Sequence, residues 1–327
     1  MLVFINTYGT SLRMKDGLLS VKKDSEIRRI PIGKIKQLFI SKGILMSSDV
    51  LYACLDNGID LLITERNGRP IGRMWNNRFG SISSLRKKQL LFSKSDRVTP
   101  WVIDQIMKKT HHQIELLQCL KGLEWAYLNE IDKCVEKLQR IRGSLSRYEQ
   151  ENIKEAAPRI RAIEGQMAKV YFNCVSRHLP MAYRFDKRSK HPAYDMTNAM
   201  LNYAYGILYS HIESALIKAG LDPYIGFFHR DEYNRPVLTY DVIEVFRPWT
   251  DWVVFHLCFN EVLDDTMFQI EQEAYWLQGD SKRILIQHFT DFFEEIVDFE
   301  GNRYSRFTHI DRLAIALASK INTIQDN

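Results

Sequence analysis

The hydrophobic period of this chain changes once, near residue 84, and that change limits the fold more than any other feature. Before it, apolar residues come in short runs: LVFINTYG, GLLSVKKD, IRRIPIGKIKQLFIS and IDLLITERNGRPIGRM. Turn residues separate them at Tyr8-Gly9, Lys15-Asp16-Gly17 and Asn67-Gly68, so the runs read as strands. Asn67-Gly68 reads as a hairpin turn, because Asn and Gly accept positive φ at both central positions. One stretch, SSDVLYACLDNG, reads as a short helix that starts at a Ser cap and stops near Gly58. After residue 84, long stretches poor in Gly and Pro follow: 100–142, 151–178, 195–220, 249–278 and 281–299. In the first of these, Ile103, Ile106, Met107, Ile114, Leu117 and Leu120 keep a helical rhythm. The predicted fold class is α+β. A small β-rich domain, a sheet or sandwich, spans 1–76. A basic linker or hinge with Gly80 and a Ser cluster spans 77–97, and a larger all-helical domain spans 98–327.

Composition narrows the class. With 327 residues, 45% hydrophobic and 26% charged, the chain can bury a sizeable core as an ordinary soluble protein. No run of eighteen apolar residues exists, and the N-terminus lacks the apolar core of a signal peptide. Cys54, Cys119, Cys134, Cys174 and Cys258 are odd in number, scattered and without a CxxC. They support neither a disulfide framework nor a zinc knuckle, and a reducing cytoplasm is the expected compartment.

The net charge of +5 says little, but its distribution says more. Residues 76–97 hold six Lys/Arg against one acid, and residues 182–191 hold four against one. Residues 261–303 hold eleven acids against three bases. The basic stretches offer Arg86, Lys87, Lys88, Arg184, Lys187, Arg188 and Lys190 as candidate phosphate contacts. The competing reading is that they are solvated faces.

Carboxylates appear where helices should be apolar. In AAPRIRAIEGQMAKVYFNCV, Glu164 sits directly beside an expected core stripe of Ile160, Ile163, Met167, Val170 and Cys174, in line with Met167, Ala168 and Tyr171. A carboxylate there is costly to bury unless it is paired or bound to a metal. Gly165 and Ala168 are expected to leave a shallow groove where another segment comes close to Glu164. In TYDVIEVFRP, Thr239 is a candidate cap, and Asp241 and Glu244 fall three apart on one face. Two like charges at that spacing call for a cation, which either Arg247 in a salt-bridged surface turn or a divalent metal supplies. His229 precedes them out of an apolar run. One His with carboxylates from separate elements suits Mn²⁺ or Mg²⁺ better than zinc or non-haem iron. His111 and His112 are adjacent, point to different faces and form no metal pair.

Three segments, RAIEGQMAKVYF, MTNAMLNYAYGILYSHIESALIKAGLDPYIGFFH and YDVIEVFRP, resemble in order and spacing the CRISPR-associated integrase and endonuclease of spacer acquisition. The resemblance covers essentially the whole chain. It implies a β-rich N-terminal domain that forms a homodimer, a helical catalytic domain, and one Mn²⁺ or Mg²⁺ held by Glu164, His229 and Glu244. Asp241 matches a nearby second acid that is either a ligand or a neighbour of one. Arg247 matches the basic residue after the last acid, and Asn198, Asn202 and Tyr203 match positions that line the family's site. Glu244 stands where some members have Asp. The resemblance further implies attack of a DNA 3′-OH on a CRISPR repeat, double-stranded DNA as partner, and a small ferredoxin-like companion in a hetero-hexamer. No membrane partner is expected. A metal-independent tyrosine recombinase, a non-catalytic DNA-binding scaffold and a small-molecule phosphoesterase are the competing readings.

Overall fold

Among the described residues, eight short strands and one α-helix build the first part of the chain. They are β1 (Leu2–Ile5), β2 (Ser11–Lys15), β3 (Leu18–Lys23), β4 (Glu26–Pro31), β5 (Gln37–Ser41), β6 (Leu45–Met46), α1 (Ser48–Asp56), β7 (Asp60–Thr64) and β8 (Pro70–Met74). The computed structural model describes residues 1–65, 68–76, 83–123, 126–190, 192–229 and 235–324. The chain divides into two units, Met1–Gly80 and Ser81–Asn327.

In the first unit the strands form two four-stranded sheets, ordered β1-β5-β7-β8 and β4-β3-β2-β6. β1, β5 and β7 run parallel, and β8 returns antiparallel to β7. β2, β3 and β4 form an antiparallel meander. Asp16 and Gly17, at φ 52° and 72°, turn β2 into β3, a pair of positive values that Gly tolerates freely. Leu12 and Leu19 from one sheet, Leu38 and Leu61 from the other, and Val50 and Cys54 of α1 share one core. α1 follows Ser47 at its N-cap, although that side chain makes no capping bond. Asn67 of the expected hairpin turn lies outside the described residues.

The second unit is mainly helical: α2 (Ser83–Phe92), α3 (Val98–Leu120), α4 (Leu128–Gly143), α5 (Ile153–His178), α6 (Met196–Lys218), α7 (Val237–Phe259), α8 (Gly279–Glu294) and α9 (Arg306–Asn322). α3 packs on α5 and α7, and α6 packs on α7. Two hairpins correct the all-helical expectation: β9 (Phe268–Glu271) with β10 (Ala274–Leu277), and β11 (Ile296–Phe299) with β12 (Asn302–Ser305). α2 corrects the expected linker over 77–97. Its Gln89 and Phe92 are fully buried in this unit. Residues 77–82 lie outside the described residues. No described helix is long and apolar enough to cross a membrane.

Candidate functional site

Glu164 lies on α5 in line with Met167 and Tyr171, as expected, and both of these are buried. The buried face runs Ile160, Met167, Tyr171 and Cys174, while Ile163 and Val170 are only half-buried. The buried stripe is thus turned slightly around the helix from the expected one, and Glu164 falls on it one turn after Ile160. Glu244 lies on α7, which starts at Val237, so Thr239 is not its cap but a fully buried residue of the first turn. α7 is apolar nearly all round, and both Asp241 and Glu244 are buried in it.

The two glutamates meet through a residue that motif reading passes over. Lys109 of α3 places its Nζ 2.7 Å from Glu164 Oε1 and 2.5 Å from Glu244 Oε2. Its side chain is 10% exposed. Burial alone would make the ammonium more acidic, but Glu164 and then Glu244 outweigh it and raise its pKa above the usual lysine value. Arg247 forms an ion pair with the second glutamate, its Nε 2.9 Å from Glu244 Oε1. Burial pushes the Glu244 carboxyl up, yet Arg247 and Lys109 hold it at about 2. The ionic turn anticipated at Glu244 and Arg247 thus exists, but in the interior, with two cations facing two carboxylates.

His229 sits on the loop before α7, and Asp241 fixes it there. Asp241 Oδ2 accepts the backbone N–H groups of Phe227 (2.6 Å) and Phe228 (3.2 Å), and Oδ1 accepts the N–H of His229 (2.9 Å). His229 Nδ1 lies 2.7 Å from the same Oδ1. Facing that acceptor oxygen, Nδ1 carries the proton, and the neutral imidazole keeps its lone pair at Nε2. Burial lowers the imidazole pKa, but the Asp241 bond and charge, with Glu244 and Glu164 behind them, raise it overall. Asp241 thereby spends both oxygens on holding the loop. Gly226 makes the close approach possible, since a Cβ there would stand 2.7 Å from Val237 Cγ2. From α2, Gln89 bonds the carbonyls of Asp222 and Ile225, and Phe92 packs edge-on to Phe227.

The remaining expected residues divide into two groups. Asn198 and Asn202 of α6 clamp the segment 187–190: Asn198 donates to Lys187 O at 3.0 Å, and Asn202 to Ser189 O and Lys190 O at 3.1 and 2.6 Å. Both asparagine oxygens accept from Arg188. Arg188 is thus bonded inward, over the Phe172 and Tyr205 rings, rather than presented to solvent. Lys88 likewise donates to Asn322 O and Oδ1 at the end of α9. Arg86, Lys87, Arg184, Lys187 and Lys190 stay exposed. Arg247, then burial, lowers the Lys190 pKa, and the Glu244 charge opposes them. Tyr203 is buried against Lys282 of α8, whereas Tyr205 is the tyrosine beside Arg247, 4.7 Å below its guanidinium. Gly165 faces open space, with no packed segment against it, which corrects the expected groove contact. His112 is buried against Val245 O and His111 is exposed.

No group of three or more described His, Cys, Asp or Glu side chains is arranged to hold a metal ion as it stands. The donor chemistry nevertheless fits one. Glu164 and Glu244 already close on a single cation, the Lys109 ammonium, and Asp241 orients His229 as carboxylates orient metal-binding imidazoles. Oxygen-rich with one nitrogen, this set matches Mn²⁺ or Mg²⁺.

A strand-rich unit followed by a mainly helical unit is a fold shared with solved structures. A casposase bound to integration product superposes over 100% of this chain and 92% of its own, with a TM-score of 0.79 at 19% identity. A Cas6-RT-Cas1–Cas2 complex matches 98% of this chain and 35% of its own, at 0.79 and 18% identity. At the level of sequence, the family model for CRISPR associated protein Cas1 matches residues 3–291, and the chain belongs to that family. A relative from Archaeoglobus fulgidus, "CRISPR-associated endonuclease Cas1 1", is 28% identical over 313 residues, covering 92% of this chain and 90% of the relative.

Proposed function

We propose that this chain is a divalent-metal-dependent DNA endonuclease and integrase that inserts short DNA fragments into a CRISPR repeat array. The carrying observation is that Glu164 and Glu244, from two helices, close on one cation within 2.7 Å, beside a histidine clamped by Asp241. The names of its relatives agree in kind: one is called an endonuclease, and the casposase structure is bound to an integration product.

Glu164, His229 and Glu244 would hold Mn²⁺ or Mg²⁺. When bound, the cation lowers the pKa of an attacking hydroxyl and offsets charge on the phosphate. The protein's own groups do the rest. Asp241 keeps the His229 lone pair turned away from the loop backbone. Arg247 neutralises Glu244 and, with Lys190, brings positive charge to the phosphate side. A fragment 3′-oxygen forms the new bond to phosphorus, the target's own 3′-oxygen leaves, and water as nucleophile gives cleavage instead. The reaction needs no protein nucleophile. The partners in this reading are double-stranded DNA, a second copy of this chain docked through the strand-rich unit, and a small ferredoxin-like protein, all in the cytoplasm. Two dimers of this chain flank one dimer of that protein, a pairing in kind with the Cas1–Cas2 complex.

The test is a joining assay with a labelled fragment and a repeat-bearing plasmid. Mn²⁺ should support joining, chelator should abolish it, and a 3′-dideoxy fragment should bind without joining. His229→Ala should lose both joining and cleavage while its melting curve stays cooperative. Full activity in His229→Ala, or joining in chelator, refutes the assignment. A second reading has an observation behind it: each glutamate already has a basic partner, as in a purely structural ion network. DNA binding with no metal-dependent chemistry would favour that scaffold.

A further inference from the structure

Lys109 presents a conflict that the proposed metal site has to resolve. Its ammonium lies 2.7 Å from Glu164 Oε1 and 2.5 Å from Glu244 Oε2, so the lone pairs a cation would use are turned toward nitrogen. A divalent ion at about 2.0–2.2 Å from those same oxygens and an ammonium at hydrogen-bond distance cannot share one point. Charge leads to the same conclusion. Two carboxylates are balanced by Lys109 and Arg247. Adding a divalent ion while Lys109 stays would set two cations against each other on the same pair of carboxylates in a buried site, where that repulsion is costly.

Resting on the metal reading above, we propose that Lys109 is a built-in counter-cation of this site: it holds Glu164 and Glu244 in place without metal, and a divalent ion enters by displacing its ammonium. The side chain has the means to leave, because a lysine is a flexible stem with a point charge, whereas an arginine in this position would be held by a planar fork. The glutamates have reason to wait in place, since two facing carboxylates without a cation repel. Arg247 stays, because it pairs with Glu244 through Oε1 rather than through the oxygen that Lys109 uses.

The experiment is a calorimetric titration of DNA-free protein with Mn²⁺, run on wild type, Lys109→Met, and Lys109→Met combined with Glu164→Gln. Lys109→Met is expected to bind Mn²⁺ about tenfold or more tightly than wild type, because a charge competing for the same oxygens has been removed. The double variant should lose that affinity. Equal affinity in wild type and Lys109→Met overturns the role of Lys109 and leaves the metal reading intact. Absence of binding in both, or binding indifferent to Glu164→Gln, overturns the metal reading and this proposal with it. Should Lys109→Met fail to fold, the wild-type protein supplies the answer. Acetylation of Lys109 by an amine-reactive ester, counted by peptide mass spectrometry, should rise several-fold on Mn²⁺ saturation while exposed Lys87 stays constant. Unchanged labelling of Lys109 overturns the proposal.

Discussion

Asp251 carries a second buried charge next to the site, and it makes stability depend on pH in an unusual direction. It accepts hydrogen bonds from Tyr171 and Tyr205, and Tyr205 lies under Arg247. Burial raises its pKa from 3.8 to about 6, against the pull of the two hydroxyls and of Arg188 and Arg247. Between those values the folded protein holds a proton that the unfolded chain has lost. Stability therefore falls as pH rises through that window, by on the order of 3 kcal/mol if nothing relaxes. Asp251→Asn should flatten this segment of the stability–pH curve, measured by urea unfolding at about pH 4 and about pH 6.5. An unchanged slope would place the titration elsewhere. Residues of this kind are unequally legible in sequence. Glu164, His229 and Glu244 stand out because acids and a histidine interrupt apolar patterns. Lys109 carries the same signal, three residues after Ile106 on the buried face of α3, but a lysine beside another (Lys108, partly exposed) looks like a solvated edge. Its burial follows from acids on α5 and α7, which no local pattern announces.

The elements are legible where turn chemistry is ordinary. Strands before residue 76 and helices after residue 98 follow from period and punctuation. The β9/β10 hairpin does not, because its turn residues Gln272 and Glu273 take φ of 49° and 64° without an Asn or Gly to signal them. The β11/β12 turn has Gly301 at φ 73°, a cue hidden by the apolar rhythm around it. α2 reads as a linker because its basic residues dominate, while Gln89 and Phe92, the two that anchor the His229 loop, look unremarkable in sequence. α5 offers a direct test. A Cβ at Gly165 would meet no heavy atom within 4 Å, and the residue is exposed beside Glu164. Gly165→Ala should therefore stabilise the helix by about 0.5–1 kcal/mol, seen as a higher urea midpoint at unchanged m-value. If DNA approaches Glu164 along this side, the same variant should join fragments more slowly despite its added stability. Faster or equal joining would move the DNA path off this face of α5.

At the scale of the whole molecule, exposure sorts the charged residues in a way that their count along the chain does not. All eleven acids of 261–303 are exposed, on α8, the two hairpins and their connections, so this region repels a polyanion. The basic stretches instead divide by burial. Arg188, Lys88 and Arg184 are bonded to protein oxygens, and Arg86, Lys87, Lys187 and Lys190 are the members left to meet phosphate. Composition alone shows a count of bases, and only packing tells which ones can release counterions. The distinction can be measured. Replacing Lys87, Lys187 and Lys190 together by Gln should weaken duplex binding at low salt and flatten the log–log salt slope by about 0.9 for each phosphate left without its cation. Arg188→Gln should behave differently. It removes donors from Asn198 and Asn202 and a cation from above Tyr205, so it should loosen the 187–190 segment and lower the melting temperature. A fall in salt slope of about 0.9 for Arg188→Gln at unchanged stability would mean that this guanidinium turns outward to the DNA, and that the clamp seen around it belongs to the free protein only.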